Sequence, residues 1–373
     1  MLEKGSTAFS PASLFAIEGI MTFASDNWAP VAPEIMDAIL RANEGAAPAY
    51  GGDDATARVQ EKFAEIFERD CAVYFVSTGG AANGLALSVL TPPYGMILAH
   101  EESHIQMDEC GGPELFTGGA KILPVAGFAG KLTPDAVTAT LKGFPERPPH
   151  GCPATVLSLT QGAECGTVYS ADEVNGLCKV AKGAGLAVHM DGARFANAVA
   201  STGSSPADLT WRAGVDVLCF GGTKNGCLAA EAVVFFDREK AADFEFRRKR
   251  AGHLWSKMRF VAAQFEAYFE NELWLDLAGK ANRAARRLSE GLAAIDNVEV
   301  PYTTQINEVF PVFPDGVADK LREAGHVFYP WITPGDPAGG RMHRLICSYR
   351  TSDEEITTFL DAVRHATAEI APL

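Results

Sequence analysis

The chain has 373 residues, 47% hydrophobic and 21% charged, which is enough apolar sequence for a large buried core. Its formal net charge of -15 argues against a nucleic acid or an anionic membrane as a partner. The cysteines form no CxxC pair and no evenly spaced framework, which favours reduced thiols in a cytoplasmic protein; they are Cys71, Cys110, Cys152, Cys165, Cys178, Cys219, Cys227 and Cys347.

Residues 1–20 are not expected to be a secretory signal. Residues 1–20 lack a basic region, an apolar core and a cleavage site, and no apolar run in the chain is long enough to span a bilayer. Met21 could be the natural start, so residues 1–20 are expected to be a leader, a tag or an N-terminal arm. A large domain is expected over 21–274 and a small one over 275–373.

Strands and helices alternate through the large domain. The predicted strands are 71–76, 96–99, 120–125, 155–159, 186–190, 215–220 and 231–236. The predicted helices between them are 84–90, 134–142, 172–184 and 195–200. This repetition predicts an α/β fold with right-handed crossovers and a mostly parallel seven-stranded sheet. The last strand follows no long helix and is expected to run antiparallel.

The pattern changes after a long helical region at 240–270. A helix to Ile295 is followed by short predicted strands and two helices; the strands are 298–300, 308–313, 327–329 and 343–347, and the helices are 317–324 and 353–366. This alternation predicts a small α+β domain with an antiparallel sheet.

Two predicted strands deliver an acid and a lysine to the same edge of the sheet. Asp191 follows one strand, and Lys224 follows the next in a glycine-flanked loop. The carboxyl ends of parallel strands meet where open α/β sheets bind ligands. Taken singly, such an acid is often a helix N-cap and such a lysine is often solvated. Taken together, they are what pyridoxal phosphate requires: an acid for a protonated ring nitrogen and a lysine for a Schiff base.

The turn after the first strand is a candidate phosphate site. Residues 77–83 read Ser-Thr-Gly-Gly-Ala-Ala-Asn and lead into a helix. A small-residue turn at a helix start presents backbone N–H groups to an anion. A turn that is merely tight is an equal alternative.

No metal site is predicted. His100 and His104 lie four residues apart, with Asp108 and Glu109 beyond them, but no cysteine or further histidine completes a set of ligands. A lone histidine at such a position is usually a surface or core residue.

Seven short motifs occur in a fixed order along the chain. They are Ser25-Asp26-Asn27, Tyr50-Gly51-Gly52-Asp53, Thr78-Gly79-Gly80-Ala81-Ala82-Asn83, His104 with Glu109 and Gly111, His189-Met190-Asp191-Gly192-Ala193-Arg194, Thr223-Lys224, and Arg344-Leu345-Ile346-Cys347. From about Phe23 to the C-terminal helix, the chain resembles the low-specificity L-threonine aldolases. These belong to the β-eliminating lyase/threonine aldolase group of pyridoxal-phosphate enzymes and have the fold type I, transferase-like architecture.

The resemblance implies three catalytic residues. Lys224 should form the Schiff base with pyridoxal 5'-phosphate, and Asp191 should pair with the ring nitrogen, so that the ring remains an electron sink. His104 should stack on the ring. His104 is also the candidate base for the substrate hydroxyl, with a purely cofactor-holding role as an equal alternative.

The resemblance also implies contacts for the substrate and for the rest of the cofactor. Arg344 should clamp the substrate α-carboxylate with help from Ser25, a bidentate role that suits arginine. Arg194 should reach the phenolic oxygen of the cofactor or the substrate carboxylate. The phosphate turn and its surroundings should supply further cofactor contacts, which are Gly79, Gly80, Asn83 and Thr223.

The chain departs from the family at three of these positions. Gly80 stands where the family commonly has threonine, which leaves the phosphate contacts open between Thr78, Thr223 and an arginine of a partner chain. Asp108 stands where some relatives have an aromatic residue near the substrate side chain. Gln161 stands roughly where some relatives have a second active-site histidine, so it is a candidate substrate contact without acid–base capacity.

The resemblance implies cleavage of L-threonine, L-allo-threonine or a related β-hydroxy-α-amino acid such as phenylserine to glycine and an aldehyde, through an external aldimine. β-Elimination and transamination on the same fold are the alternatives. A nicotinamide-dependent dehydrogenase is disfavoured because the turn lacks GxGxxG. A cofactor-binding protein without turnover is a further alternative.

The resemblance implies an assembly as well. A homodimer or homotetramer is expected, with the active site at the dimer interface. Tyr50 and the basic run 247–250 are the candidate contacts between subunits, although such a run is usually a solvated helix face.

Overall fold

A seven-stranded sheet forms the centre of the larger part of the protein. The computed structural model describes residues 22–332 and 338–370, so the leader or arm expected at 1–20 lies outside the described residues. The strands are β1 (Ala72–Val76), β2 (Met96–His100), β3 (Lys121–Val125), β4 (Ala154–Thr160), β5 (Ala187–Gly192), β6 (Val217–Gly221) and β7 (Glu231–Phe235). Their order in the sheet is β1-β7-β6-β5-β4-β2-β3.

The strand directions confirm the predicted α/β class. β2, β3, β4, β5 and β6 pair in parallel, whereas β7 runs antiparallel to both β6 and β1, as expected for a strand without a preceding long helix. All residues of β6 and β7 are buried. Continuous apolar strands of this kind form where helices cover both faces of a sheet.

Helices cover both faces of this sheet. The bounds are α1 (Pro33–Ala42), α2 (Asp54–Ile66), α3 (Gly79–Leu90), α4 (His104–Met107), α5 (Gly112–Thr117), α6 (Pro134–Gly143), α7 (Ala171–Gly183), α8 (Phe195–Thr202), α9 (Phe244–Arg250), α10 (Arg259–Phe269) and α11 (Leu273–Ala293). The core on one face takes side chains from α1, α2, α6, α7, α8 and α10. Side chains from α3, α4 and α9 fill the other face. In the part of the chain that the structure describes, no helix is both long and apolar enough to cross a bilayer.

Two helices begin or end differently from the prediction. The region predicted as helical over 240–270 is interrupted after α9, where Gly252 adopts φ +80°, a left-handed conformation that ends helices and favours glycine. The helix predicted from residue 84 begins earlier, at Gly79, because the Thr78 hydroxyl accepts a hydrogen bond from the Ala81 N–H and caps it.

The smaller sheet is antiparallel, as expected. Its strands are β8 (Glu308–Val309), β9 (Tyr329–Pro330) and β10 (His343–Ile346), in the order β8-β10-β9. The helices α12 (Val317–Glu323) and α13 (Asp353–Ile370) accompany it. The strand predicted at 298–300 is instead a single bridge between Glu299 and Val312.

One helix joins the two parts of the fold. The beginning of α11, with Trp274 and Leu277, lies in the core of the large sheet, whereas Leu288 and Leu292 near its end lie in a second core. Phe23 also belongs to this second core. The boundary at 274/275 stays a prediction, since a continuous helix crosses it.

Candidate active site

A cavity of about 670 Å³ opens at the carboxyl edge of the large sheet. Residues of the small sheet contribute to its wall. All site residues predicted from the sequence except Gln161 line this cavity; they are Ser25, Gly79, Gly80, Asn83, His104, Asp108, Asp191, Arg194, Thr223, Lys224 and Arg344. Residues from distant parts of the sequence therefore meet at one place.

The acid and the lysine lie at the ends of neighbouring strands. Asp191 belongs to β5 and is 5% exposed, and Lys224 follows β6 in a 3₁₀ turn. Asp191 Oδ1 accepts from the Ala193 N–H at 2.9 Å, and Oδ2 accepts from Asn83 Nδ2 at 2.7 Å. These donors fix the orientation of the carboxylate. Asn83, expected in the phosphate turn, lies near the beginning of α3 and uses its side-chain amide to hold Asp191.

A histidine and an acid extend this network. His104 Nδ1 donates to Glu109 Oε1 at 2.8 Å, and the same oxygen accepts from Asn83 Nδ2 at 2.8 Å. The hydrogen bond to Glu109 raises the pKa of His104, with burial opposing the change. Glu109 is almost completely buried, whereas 42% of the His104 side chain is exposed. One imidazole edge is thus anchored and the rest of the ring faces open space.

Among the described residues, the groups close enough together to hold a metal ion are the His104 imidazole and the carboxylates of Glu109 and Asp191. Ligand atoms of His104, Glu109 and Asp191 all lie within 4.8 Å of one another. Asn83 already donates to both acids, and His104 donates to one of them. The hydrogen-bond network accounts for the cluster without an ion.

Arg194 is paired within the protein. Its Nε and Nη2 donate to the two Asp26 oxygens at 2.8 and 3.2 Å, and Nη1 lies 3.3 Å from Glu308 Oε1. Burial alone would lower the pKa of Arg194, but the two acids raise it. Burial alone would raise the pKa of Asp26, but Arg194 and then Lys224 lower it. Arg194 lines the cavity, yet its guanidinium is occupied by acids.

Arg344 has fewer partners within the described part of the protein than Arg194. It lies on β10, and its guanidinium carbon is 5.0 Å from the centre of the Trp331 ring. Its Nε is buried and has no hydrogen-bond partner among the described residues. A stacked, partly unpaired guanidinium is suited to a planar carboxylate.

The beginning of α3 forms the other end of the cavity. Gly79 and Gly80 occupy the first turn, where backbone N–H groups lack partners within the helix. The helix dipole adds partial positive charge there. Thr223 lines the cavity nearby and accepts from the Ala230 N–H at 3.2 Å. This arrangement fits a phosphate group.

Gln161 is turned away from the cavity. Its Nε2 donates to the Tyr169 carbonyl at 2.7 Å, and its Oε1 accepts from the Tyr169 N–H at 2.9 Å. The side chain is fully buried and both ends of its amide are used. The expectation that Gln161 contacts the substrate is therefore not supported by its position. Glu164, three residues later, lines the cavity instead.

Sequence reasoning missed several buried acids around the cavity. Burial raises the pKa values of Glu164 and Glu231 to about 7, and it also raises the pKa of Glu308. Glu308 stands next to an apolar strand segment, and an acid in such a place is itself a signal. Asp26 belongs to the first matched motif. Glu164 lies in a loop whose sequence gave no comparable signal.

Comparison with known proteins decides the family. The sequence model of the beta-eliminating lyase family matches residues 22–313. A low-specificity L-threonine aldolase of Pseudomonas aeruginosa is 42% identical over 342 residues, which cover 92% of this chain and 96% of that enzyme. The chain belongs to the low-specificity L-threonine aldolases of the beta-eliminating lyase family.

Solved structures agree with this aldolase assignment. The threonine aldolase of Leishmania major superposes with a TM-score of 0.86 at 26% identity, covering 93% of this chain and 99% of that one. A serine palmitoyltransferase of Sphingomonas wittichii superposes at 0.68 with 17% identity, covering 93% and 87%, and shares the fold. The resemblance and the fold class inferred from the sequence are both confirmed.

Proposed function

We propose that this aldolase binds pyridoxal 5'-phosphate and cleaves L-threonine, L-allo-threonine or a related β-hydroxy-α-amino acid, such as phenylserine, to glycine and an aldehyde. The observation that carries the proposal is the meeting of Asp191, Lys224 and Arg344 in one cavity. An acid, a lysine and a free guanidinium match a pyridine ring, an aldehyde and a carboxylate.

The cavity residues fit the cofactor group by group. Lys224 would bind its aldehyde carbon as a Schiff base, Asp191 would keep its ring nitrogen protonated, and the beginning of α3 would hold its phosphate. The His104 ring would cover one face. When bound, the cofactor supplies an electron-withdrawing ring that accepts the electron pair of the broken bond at Cα.

Arg344 and Ser25 would orient the substrate. Arg344 has a buried Nε without a partner, so a bound α-carboxylate would satisfy it. Arg194 is already paired with Asp26 and Glu308, so it would support the site without binding the carboxylate itself. Fixing the carboxylate sets the position of the Cα–Cβ bond, which must lie where the ring can accept its electrons.

The reaction also requires a base for the β-hydroxyl proton. Glu109 raises the pKa of His104 and anchors its Nδ1. This contact suits both roles that the sequence left open, since a carboxylate partner fixes the ring and also makes a neutral imidazole a stronger proton acceptor.

The test of the proposal is product analysis. The purified enzyme with pyridoxal phosphate should convert L-threonine to equal amounts of glycine and acetaldehyde. β-Elimination would instead release ammonia and a keto acid, and transamination would leave an aminated cofactor. Either of those results would replace the aldolase proposal by its alternative.

We place the active enzyme in the cytoplasm as a homodimer or homotetramer. All cysteines are free, in keeping with a reducing compartment. Tyr50 is 53% exposed, with Lys249 Nζ 5.3 Å from its ring centre, and both are available for a partner subunit. Arg248 is less suitable, because it is buried and donates to the Phe75 carbonyl of its own chain.

A further inference from the structure

Glu164 occupies the part of the cavity where the sequence suggested Gln161. The loop that carries it follows β4, whose last residue, Thr160, lies opposite Asp191 in the parallel register. Glu164 and Thr160 both line the cavity. The loop thus brings a carboxyl group to the edge where the cofactor-binding acid lies.

One oxygen of Glu164 is fixed and the other is free. Oε1 accepts from the His104 N–H at 2.9 Å and from Thr160 Oγ1 at 2.8 Å. Oε2 is buried and has no hydrogen-bond partner among the described residues. A carboxylate anchored at one oxygen keeps its second oxygen in a defined direction, which is the arrangement of a positioned proton acceptor.

Three other cavity acids lie against a basic group. Asp26 and Glu308 are paired with Arg194, and Glu109 accepts from His104. Oε1 of Glu164, in contrast, is held by uncharged donors. An acid without a cation at its side keeps a higher proton affinity than an ion-paired acid.

The proton affinity of Glu164 is suited to acid–base work. Burial raises its pKa to about 7, and the charge of Asp191 acts in the same direction. A general acid–base group is most effective when its pKa lies near the working pH. At neutral pH, Glu164 is present both as an acceptor and as a donor of a proton.

We propose that Glu164 is the general base that removes the β-hydroxyl proton of the substrate during cleavage, a role that rests on the proposed aldolase function. Oε2 takes the hydroxyl proton, and the electron pair of the O–H bond becomes the second C–O bond of the aldehyde. The Cα–Cβ bond breaks and its electron pair stays with Cα. Cα then takes up one proton to give glycine, so no further reactant is consumed.

The variant that tests this role is Glu164→Gln. Its carboxamide oxygen still accepts from Thr160 and from the His104 N–H, so the loop should keep its shape. With pyridoxal phosphate bound, kcat/KM for L-threonine cleavage should fall by about 10²- to 10⁴-fold. Exchange of the glycine α-proton with D₂O, followed by NMR, should stay close to that of the original enzyme, because glycine has no β-hydroxyl group.

Glu114→Gln is the matched control. Glu114 Oε2 is also a buried oxygen without a hydrogen-bond partner among the described residues, but Glu114 does not line the cavity. This variant loses the same charge and should keep both cleavage and exchange. The pair of variants separates a chemical role from a general effect of removing a buried carboxylate.

A second measurement reports on Glu164 without turnover. Infrared difference spectra of the protein without cofactor, recorded from pH 5 to 9, should contain a protonated carboxyl band that disappears as the pH rises through about 7. Glu164→Gln should remove part of this band. Glu231→Gln should remove another part, since burial also raises the pKa of Glu231 to about 7.

Two outcomes would overturn the role of Glu164 alone. Cleavage by Glu164→Gln at the original rate would show that another group takes the proton. An equal loss of cleavage and glycine exchange would show that Glu164 only shapes the site. If the original enzyme exchanges the glycine proton but releases no aldehyde, the proposed function itself fails, and the role of Glu164 fails with it.

Discussion

At the scale of single residues, the cavity is organised by acids and their partners. Each acid has a different neighbour: Arg194 for Asp26, His104 for Glu109, and uncharged donors for Glu164. Burial raises the pKa values of Glu109 and Glu164, whereas at Asp26 the opposing effect of Arg194 and Lys224 is larger and lowers the pKa. Acids that have the same chemistry in solution therefore acquire separate roles.

Asp26→Asn should strongly destabilise the protein. It leaves the buried guanidinium of Arg194 without its bidentate partner, and breaking a buried ion pair costs about 3–5 kcal/mol in the free energy of unfolding. Urea denaturation measures this change. Asp70→Asn, which removes an exposed partner of Arg238, is the control and should have little effect. Equal stability of the two variants would contradict the buried pairing.

The direction of the pKa shift of Asp26 sets how the stability of this ion pair depends on pH. The pKa of Asp26 is lower in the folded than in the unfolded state. Its contribution to stability is therefore complete above the usual pKa of about 3.9 and disappears as the pH falls through the lower folded value. Asp26→Asn should accordingly reduce the loss of stability in that acidic range.

Glu109→Gln should lower the pKa of His104. The variant removes the charge that favours the protonated imidazole, while burial, which favours the neutral form, remains. NMR titration of the His104 ring measures the change, and the pKa of His326, which burial lowers, should stay as it is. An unchanged His104 titration would mean that the contact with Glu109 is not made in solution.

At the scale of secondary-structure elements, α3 shows why a prediction from sequence was only partly right. A strand, a turn and a helix were predicted in this order. The first turn of the helix was missed, because it contains Gly79 and Gly80 and glycine disfavours helices. Tertiary packing overrides this weakness: α3 packs closely against α5 and against β6. The Thr78 cap then fixes the beginning of the helix at the cavity.

Gly84→Ala should destabilise the protein despite the better helix propensity of alanine. The added Cβ would lie 2.5 Å from Phe116 Cδ2, and overpacking of this kind typically costs about 1–3 kcal/mol, against a gain of at most about 1 kcal/mol from propensity. Thermal unfolding gives the sign. Gly143→Ala, at the end of α6 with no atom within 4 Å, is the control and should be neutral or stabilising.

The sequence was informative wherever the signal was local. The seven strands appeared as short apolar runs, and the acid and lysine were recognised because both follow strands. Contacts between distant residues, such as Asp26 with Arg194, have no local signal. The loop after β4 is the clearest case, since the direction in which Gln161 or Glu164 points depends on the Tyr169 backbone and on Thr160.

At the scale of the whole molecule, two cores meet at the cavity. α11 contributes to both, and Phe23 from the start of the described chain packs 4.9 Å from Phe359 of α13, measured between ring centres. Arg344 reaches the cavity from the small sheet, while Lys224 reaches it from the large one. The position of one core relative to the other therefore sets the distance between the groups that bind cofactor and substrate.

The assembly should be at least a dimer. Sedimentation equilibrium should give a mass of twice 39.7 kDa or a higher multiple. Replacing the exposed Tyr50 by alanine should weaken the association, whereas Phe128→Ala, another exposed aromatic residue outside the expected contact, should not. A monomeric enzyme with full activity would contradict the expected interface.

The most direct test of the account is the absorption spectrum of the protein with pyridoxal phosphate, followed by addition of L-threonine. We predict a yellow band from cofactor bound through Lys224, and then glycine and acetaldehyde in equal amounts. Lys224→Ala should lose the band and the products, whereas Lys142→Ala, at an exposed position, should keep both. A band that persists in Lys224→Ala, or products other than glycine and acetaldehyde, would contradict the account.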